Sequence, residues 1–188
     1  MMSASTSTEQ KVVIARTVVW LERAVIGLNL CPFAKAEHLH GRIHYDVSDA
    51  KDGHQLMLDL GKSLELLLNQ PPEKIETLLL IHPLVFEDFL DYNDFLVDAE
   101  DLLAKLNLEG VIQIASFHPQ YQFEGTEQGD IENYTNRSPY PMLHLLREES
   151  LERAVESVPD TTAIFERNID TMKKLGLKRW QELFADQA

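Results

Sequence analysis

The stretch ETLLLIHP, residues 76–83, decides the fold class. It is a short apolar run that stops at a proline, which is typical of a strand buried on both faces of a sheet. A second stretch of the same form, VIQIASFHP, occupies residues 111–119 and also ends in a His-Pro pair. Together the two runs predict two strands of one sheet.

The segments around these runs show helical or alternating periodicity. The predicted helices cover residues 11–28, 52–69, 86–106, 148–158 and 161–175, the last ending before Gly176. Two further strands are predicted over residues 43–47 and 142–146. Because helices alternate with strands, we predict an α/β (or α+β) fold with a mixed, mostly parallel four-stranded sheet flanked by helices.

The chain has 188 residues, which is the size of one domain. Its 44% hydrophobic and 26% charged residues are an ordinary globular composition, sufficient for a substantial core. We predict a single α/β domain over residues 9–188 after a disordered polar N-terminus, residues 1–8. Right-handed crossovers would make the first three strands parallel and place His82 and His118 at one carboxyl edge, where ligands bind in such sheets.

The charge of the chain excludes several classes of partner. Lys plus Arg number 17 and Asp plus Glu number 31, so the formal net charge is −14. Nonspecific binding to nucleic acid or to an anionic membrane requires a basic surface, so we expect neither partner. A local basic pocket for a small anionic molecule remains compatible with this charge, and so does a homo-oligomer.

The chain has one cysteine, Cys31, which excludes an intramolecular disulfide and any Cys-rich zinc site. A lone cysteine fits a reducing compartment, and no window approaches 18 apolar residues, so we predict a cytoplasmic protein. Cys31 follows the first helix in GLNLCPFA, residues 27–34. It is either a thiolate nucleophile stabilised by a nearby histidine or cation, or a small buried residue in a turn.

Histidines offer a second kind of chemistry. A strand-end histidine such as His118 suits general acid/base catalysis or anion binding, although such a residue often only hydrogen-bonds a loop. Three other histidines, His38, His40 and His44, lie close together in sequence. Their spacing and the adjacent Arg42 disfavour a cation, so we predict no metal site.

The longest stretch without periodicity, residues 120–141, precedes the last strand. Loops of this length are uncommon and often functional. Arginines there and in the last strand could grip a carboxylate or phosphate through paired N–H bonds, or could pair with surface acids while the loop acts as a packed cover. The predicted substrate-binding residues are Tyr121, Asn133, Tyr134, Arg137, Ser138, His144 and Arg147. In an alternating strand, His144 and Arg147 lie on opposite faces.

Three strings carry a family resemblance: WLERAVIGLNLCPFA (20–34), SFHPQYQFEGT (116–126) and NYTNRSPYPMLHLLRE (133–148). They resemble the bacterial "domain of unknown function 1415" family over nearly the whole chain. That family implies no activity. The resemblance does imply that six residues occupy motif positions, namely Cys31, His118, Asn133, Arg137, His144 and Arg147.

These observations lead to one functional hypothesis and one alternative. The hypothesis is a small enzyme that acts on a small anionic substrate at the carboxyl edge of the sheet, with His118 as acid/base and Cys31 as nucleophile. Arg137 and Arg147 would converge on one pocket and hold the anion. The alternative is a noncatalytic binding module for an anionic metabolite or peptide. The sequence identifies neither a cofactor nor a substrate.

Overall fold

The computed structural model describes residues 7–156 and 161–187. The strands are β1 (Ile43–Val47), β2 (Thr77–Ile81), β3 (Ile112–Phe117) and β4 (Met142–Arg147). The helices are α1 (Thr8–Trp20), α2 (Ala34–Leu39), α3 (Gly53–Asn69), α4 (Phe89–Lys105), α5 (Glu148–Glu156) and α6 (Thr161–Glu182). A π-helical segment, Leu21–Ile26, continues α1, and short 3-10 helices occupy Ile131–Thr135 and Ala185–Gln187. The α/β fold is therefore as predicted.

The four strands form one mixed sheet in the order β1-β2-β4-β3. β1 pairs with β2 in parallel, whereas β4 is antiparallel to both β2 and β3. The first three strands thus run in one direction, but β2 and β3 are not neighbours, and the prediction of a mostly parallel sheet is wrong. The reason is the loop after β3, which returns the chain to the edge where β3 ends, so that Met142 pairs with Phe117.

One face of the sheet is covered by α3 and α4. Leucines at helical spacing along α3 meet the inward residues of β2 and β4 in the core. The fully buried members include Leu56, Leu60, Leu67, Leu78, Leu80, Tyr92, Leu103 and Leu143. Both helices begin at aspartate caps, since Asp52 accepts from Gln55 N–H and Asp88 accepts from Leu90 N–H.

The opposite face is covered by α1, the π-helical segment and α6. Trp20, Ala24 and Leu79 are buried there together with Met172 and Trp180 of α6. Gly176 interrupts α6, as the sequence predicted: its φ of 73° and ψ of 160° are not helical, so Thr161–Glu182 consists of two helices joined at a kink. The sheet is therefore the middle layer of three.

The N-terminal prediction falls mostly on residues 1–6, which lie outside the described part of the chain. Ser7 caps α1 through a capping box with Gln10, and Thr8 begins the helix. The last two residues of the helix predicted over 148–158 also lie outside the described residues. Within residues 7–156 and 161–187, no helix has both the length and the apolar character needed to span a bilayer.

Candidate functional site

A cavity of about 400 Å³ lies on the face of the sheet that α1 covers. We call it the His144 cavity. Its walls are mainly apolar, with Trp20, Leu21 and Val25 above the sheet and Leu79 and Phe117 on it. The polar side chains at its wall belong to Cys31, Glu37, Glu76, Thr77, His144 and Ser150, and Arg147 also lines it although its guanidinium lies at the end of α3.

His144 has a fixed protonation pattern. Its Nε2 atom lies 2.6 Å from Thr77 Oγ1, and that hydroxyl donates to the carbonyl oxygen of Leu145 at 2.7 Å. Because the single hydroxyl proton is used on Leu145, Nε2 must carry the proton that joins His144 to Thr77. Burial lowers the pKa of His144 to about 4, so the ring is neutral at pH 7. Nδ1 is then a lone-pair acceptor, and no described residue hydrogen-bonds to it.

Cys31 lines the same cavity, and its side chain is partly buried. The turn that carries it depends on the π-helical segment, in which Gly27 N–H reaches back to Glu22 O at 2.9 Å. A Cβ on Gly27 would collide with the carbonyl oxygen of Arg23, so only glycine fits. Asn29 follows with a positive φ of 54°, a conformation that asparagine tolerates. The GLNLC sequence therefore turns the chain so that Cys31 meets the cavity.

The predicted acid/base residue, His118, lies outside this cavity. Its ring is fully buried, Nε2 donates to Phe86 O at 3.0 Å, and Nδ1 accepts from Gln120 N–H at 3.0 Å. Burial lowers its pKa. Both ring nitrogens are occupied by backbone groups, so the geometry does not support acid/base catalysis by His118.

His82 and His118 do lie close together at the carboxyl ends of β2 and β3. Their rings contact Tyr92 at centroid distances of 5.7 and 5.1 Å. His82 Nδ1 donates to Val85 O at 3.1 Å, next to Phe86, which has a strained φ of 58°. The two histidines thus hold the strained connection between β2 and α4, which explains the repeated His-Pro pattern structurally.

The expectation that Arg137 and Arg147 converge on one pocket is wrong. Arg147 Nη2 donates to the carbonyl oxygens of Leu67, Gln70 and Ile75 at 2.6, 2.8 and 3.1 Å, where it caps the end of α3. Strand alternation places its side chain on the α3 face, opposite His144, as the sequence indicated.

Arg137 instead organises the loop before β4. Its Nε donates to Tyr121 O at 3.2 Å and its Nη2 to Gln128 O at 2.7 Å, while the guanidinium carbon lies 4.1 Å from the centre of the Tyr134 ring. Together with Tyr134 and Ser138 it lines a separate cavity that shares Trp20 as a wall.

The other predicted binding residues order the same loop. Asn133 is fully buried, accepts from Phe123 N–H at 3.0 Å and donates to Glu127 O at 2.8 Å. The Tyr121 ring packs on Phe89 at 5.1 Å. The structure therefore divides the predicted set among the His144 cavity, the second cavity and the interior of the loop.

The cavity also lies in a different part of the sheet from the one that the sequence predicted. The His144 cavity lies over the middle of the sheet and the amino-terminal ends of β1 and β2, where Ile43 and Thr77 begin these strands, and not at the carboxyl edge. Sequence reasoning missed Thr77, although a hydroxyl in an otherwise apolar buried strand is the signal that could have found it. It also missed α2, which supplies Ala34, Ala36 and Glu37 to the wall.

No group of three or more His, Cys, Asp or Glu side chains is arranged to hold a metal ion within the described ranges. Two of the clustered histidines contact other partners. His38 Nε2 lies 3.0 Å from Glu22 Oε1, and His40 Nδ1 lies 3.4 Å from Arg42 Nη2.

The family model described as "Protein of unknown function (DUF1415)" matches residues 12–182. The chain belongs to the DUF1415 family. No curated protein and no solved structure matches it. In this DUF1415 chain, the matched range includes every residue that lines the His144 cavity, from Trp20 to Leu151.

Proposed function

We propose that this protein binds a small, largely apolar molecule in the His144 cavity, and that the molecule donates a hydrogen bond to His144 Nδ1. The observation that carries the proposal is the neutral imidazole of fixed tautomer within an apolar enclosure. The proposal places this binding in the cytoplasm, which the single cysteine favours.

The size and lining of the cavity fit a small molecule. Ligand sites usually enclose about 300–1,000 Å³ and combine apolar walls with a few polar groups that orient the ligand. Here the volume is about 400 Å³, and the sheet and the π-helical segment supply the apolar walls. π-Helical turns occur frequently at functional sites, which agrees with this placement.

The polar groups favour a ligand that donates hydrogen bonds. His144 Nδ1 is an acceptor, and the half-buried carboxylate of Glu76 has no hydrogen-bond or ion-pair partner among the described residues. Glu37 is paired with Arg42 at 2.8 Å, and the Arg147 guanidinium is held by three carbonyl oxygens. An alcohol, amide or amine therefore fits better here than the anionic substrate expected from the sequence.

Enzymatic activity is the second candidate, because Cys31 lines the same cavity as a histidine with an open nitrogen. In that reaction Cys31 Sγ bonds to a carbonyl carbon of the ligand while His144 Nδ1 takes the thiol proton. The bond to the leaving group then breaks, and the leaving group receives that proton. The nucleophile is the one the sequence predicted, with His144 replacing His118 as the base.

Three probes that share one ring test the binding proposal: benzyl alcohol, benzylamine and benzoate. Binding is followed by calorimetry and by protection of the single cysteine from iodoacetamide, read by mass spectrometry. We expect benzyl alcohol and benzylamine to bind more tightly than benzoate and to slow alkylation of Cys31. Ala115→Phe, which fills the cavity from β3, and His144→Gln should weaken binding, whereas the exposed His40→Gln is the matched control.

Two outcomes overturn the binding proposal: benzoate binds best, or Ala115→Phe and His144→Gln bind the alcohol as the control does. The enzymatic candidate is tested separately with p-nitrophenyl butyrate. An enzyme would give a butyryl adduct on Cys31 at a rate that falls in His144→Gln. Failure to form this adduct, together with unchanged alcohol binding in Cys31→Ser, would leave a noncatalytic binding module.

A further inference from the structure

A second cavity, of about 430 Å³, has a different character. We call it the arginine cavity. It is lined by Arg16 and Arg137, and the aromatic side chains of Trp20, Tyr134, Trp180 and Phe184 form much of its remaining wall. No carboxylate is among its described lining residues. This is notable in a chain with 31 acidic and 17 basic residues.

The two guanidinium groups differ in how they are held. Arg137 is oriented by Tyr121 O, by Gln128 O and by the Tyr134 ring, and it donates through Nε and Nη2 only. Its Nη1 has no hydrogen-bond partner among the described residues. One cation of the cavity is therefore fixed in place before any ligand arrives.

Arg16 lies on the exposed side of α1 and has neither a hydrogen bond nor an ion pair with any described residue. Its side chain can therefore turn towards a ligand without breaking an existing contact. Two guanidinium groups at one cavity offer an anion several charge-assisted hydrogen bonds, which are stronger than neutral ones.

The aromatic wall determines what else the ligand carries. Trp180 contacts both Tyr134 and Phe184 edge-to-face, each at a centroid distance of 5.5 Å. A flat ring next to these side chains would gain apolar contact and further edge-to-face or stacked contacts. An inorganic ion alone would leave this surface unused.

We propose that the arginine cavity binds a small molecule in which a phosphate or carboxylate is attached to an aromatic ring. The net charge of −14 does not prevent this, because long-range repulsion is screened beyond about 8–10 Å at physiological salt. The proposal goes beyond the proposed function, since it concerns another ligand class and, apart from Trp20, other residues.

Phenyl phosphate is the test ligand, with inorganic phosphate and phenol as its two halves. The chain has two tryptophans, and both line this cavity, but Trp20 also lines the His144 cavity, so the Trp180 indole N–H signal is the one that distinguishes the two. We expect phenyl phosphate to bind more tightly than either half and to shift the Trp180 indole signal.

Arg16→Gln is the decisive variant, because it removes a group with no described partner and leaves the loop intact. We expect it to weaken phenyl phosphate binding about tenfold or more. Arg153→Gln, at an exposed position of α5, makes the same change in net charge and is the matched control. Arg137→Lys should also weaken binding, with circular dichroism checking that the fold is kept.

The proposal is overturned if Arg16→Gln binds phenyl phosphate as tightly as Arg153→Gln. It is also overturned if phenol binds as tightly as phenyl phosphate, which would mean that the arginines contribute nothing. Ala115→Phe, which blocks only the His144 cavity, should retain phenyl phosphate binding. Loss of binding in that variant would place the ligand in the other cavity.

Discussion

Replacement of Arg147 by methionine should destabilise the protein, because the guanidinium holds the end of α3. A hydrogen bond from a charged group contributes about 1.5–3 kcal/mol to stability. Arg147 Nη2 has two protons for its three carbonyl acceptors, so we count two bonds. Since the carbonyl groups of the half-buried Gln70 and Ile75 regain water in the variant, we expect a net loss of about 2–4 kcal/mol.

For a chain of this size, 1 kcal/mol corresponds to roughly 2–4 °C in Tm, so the expected decrease is about 4–16 °C. Urea unfolding followed by circular dichroism gives the free energy, and calorimetry gives Tm. Arg147→Lys keeps the charge near the carboxyl end of the helix and should lose less than Arg147→Met.

The matched control is Arg153→Met, which breaks an exposed pair with Glu149, four residues away, worth about 0.3–0.5 kcal/mol. If Arg147→Met lost no more stability than Arg153→Met, the capping role would be wrong. Arg147 would then again be a candidate for ligand binding.

Gly27→Ala should lower the free energy of unfolding, measured in urea, by about 1 kcal/mol or more, because the added Cβ would collide with Arg23 O. In an ordinary helix the same substitution raises stability, so a more stable variant would contradict this prediction. Asn107 has a φ of 56°, so Asn107→Ala should cost about 1–2 kcal/mol while Asn107→Gly stays near the parent protein, and equal melting temperatures would argue against strain. Burial lowers the pKa of His82 to about 4, so between pH 6.5 and 4 the unfolded chain takes up a proton that the folded chain does not. The free energy of unfolding should therefore fall by roughly 3 kcal/mol as the pH falls through this window, at 1.36 kcal/mol per pH unit. In urea titrations at pH 7 and 4.5, His82→Asn should lose this part of the pH dependence. An unchanged pH dependence in the variant would refute the assignment to His82.

Local pattern was sufficient for most of the elements. The short apolar run that ends at Pro83 predicted a strand buried on both faces. In the structure all five residues of Thr77–Ile81 are buried. By contrast, α2 has six residues and no side-chain cap, so it leaves little periodicity to detect. The direction of β4 could not be predicted from the sequence either, because it depends on which edge of the sheet the long loop brings the chain back to.

Site residues were harder to predict than elements because their roles depend on partners far away in sequence. His118 and Arg147 were selected because their side chains are chemically capable. In the structure His118 Nε2 donates to Phe86 O, and the Arg147 guanidinium donates to carbonyl groups at the end of α3. His144 and Cys31 were also selected, yet what joins them is a cavity formed by segments 113 residues apart in the chain. Residue type can be read from sequence, whereas the availability of a particular nitrogen cannot.

The position of β4 has a consequence for the order of folding. It is the last strand to be synthesised, yet it lies between β2 and β3 and supplies every pairing that β3 makes in the sheet. A nascent chain that ends at Pro141 can therefore join only β1 and β2, and an apolar edge of β2 stays unpaired until Met142–Arg147 emerges. Unpaired strand edges promote aggregation, and pairing across long loops is slow. A truncation before Met142 should thus yield an aggregating chain and not a smaller folded domain.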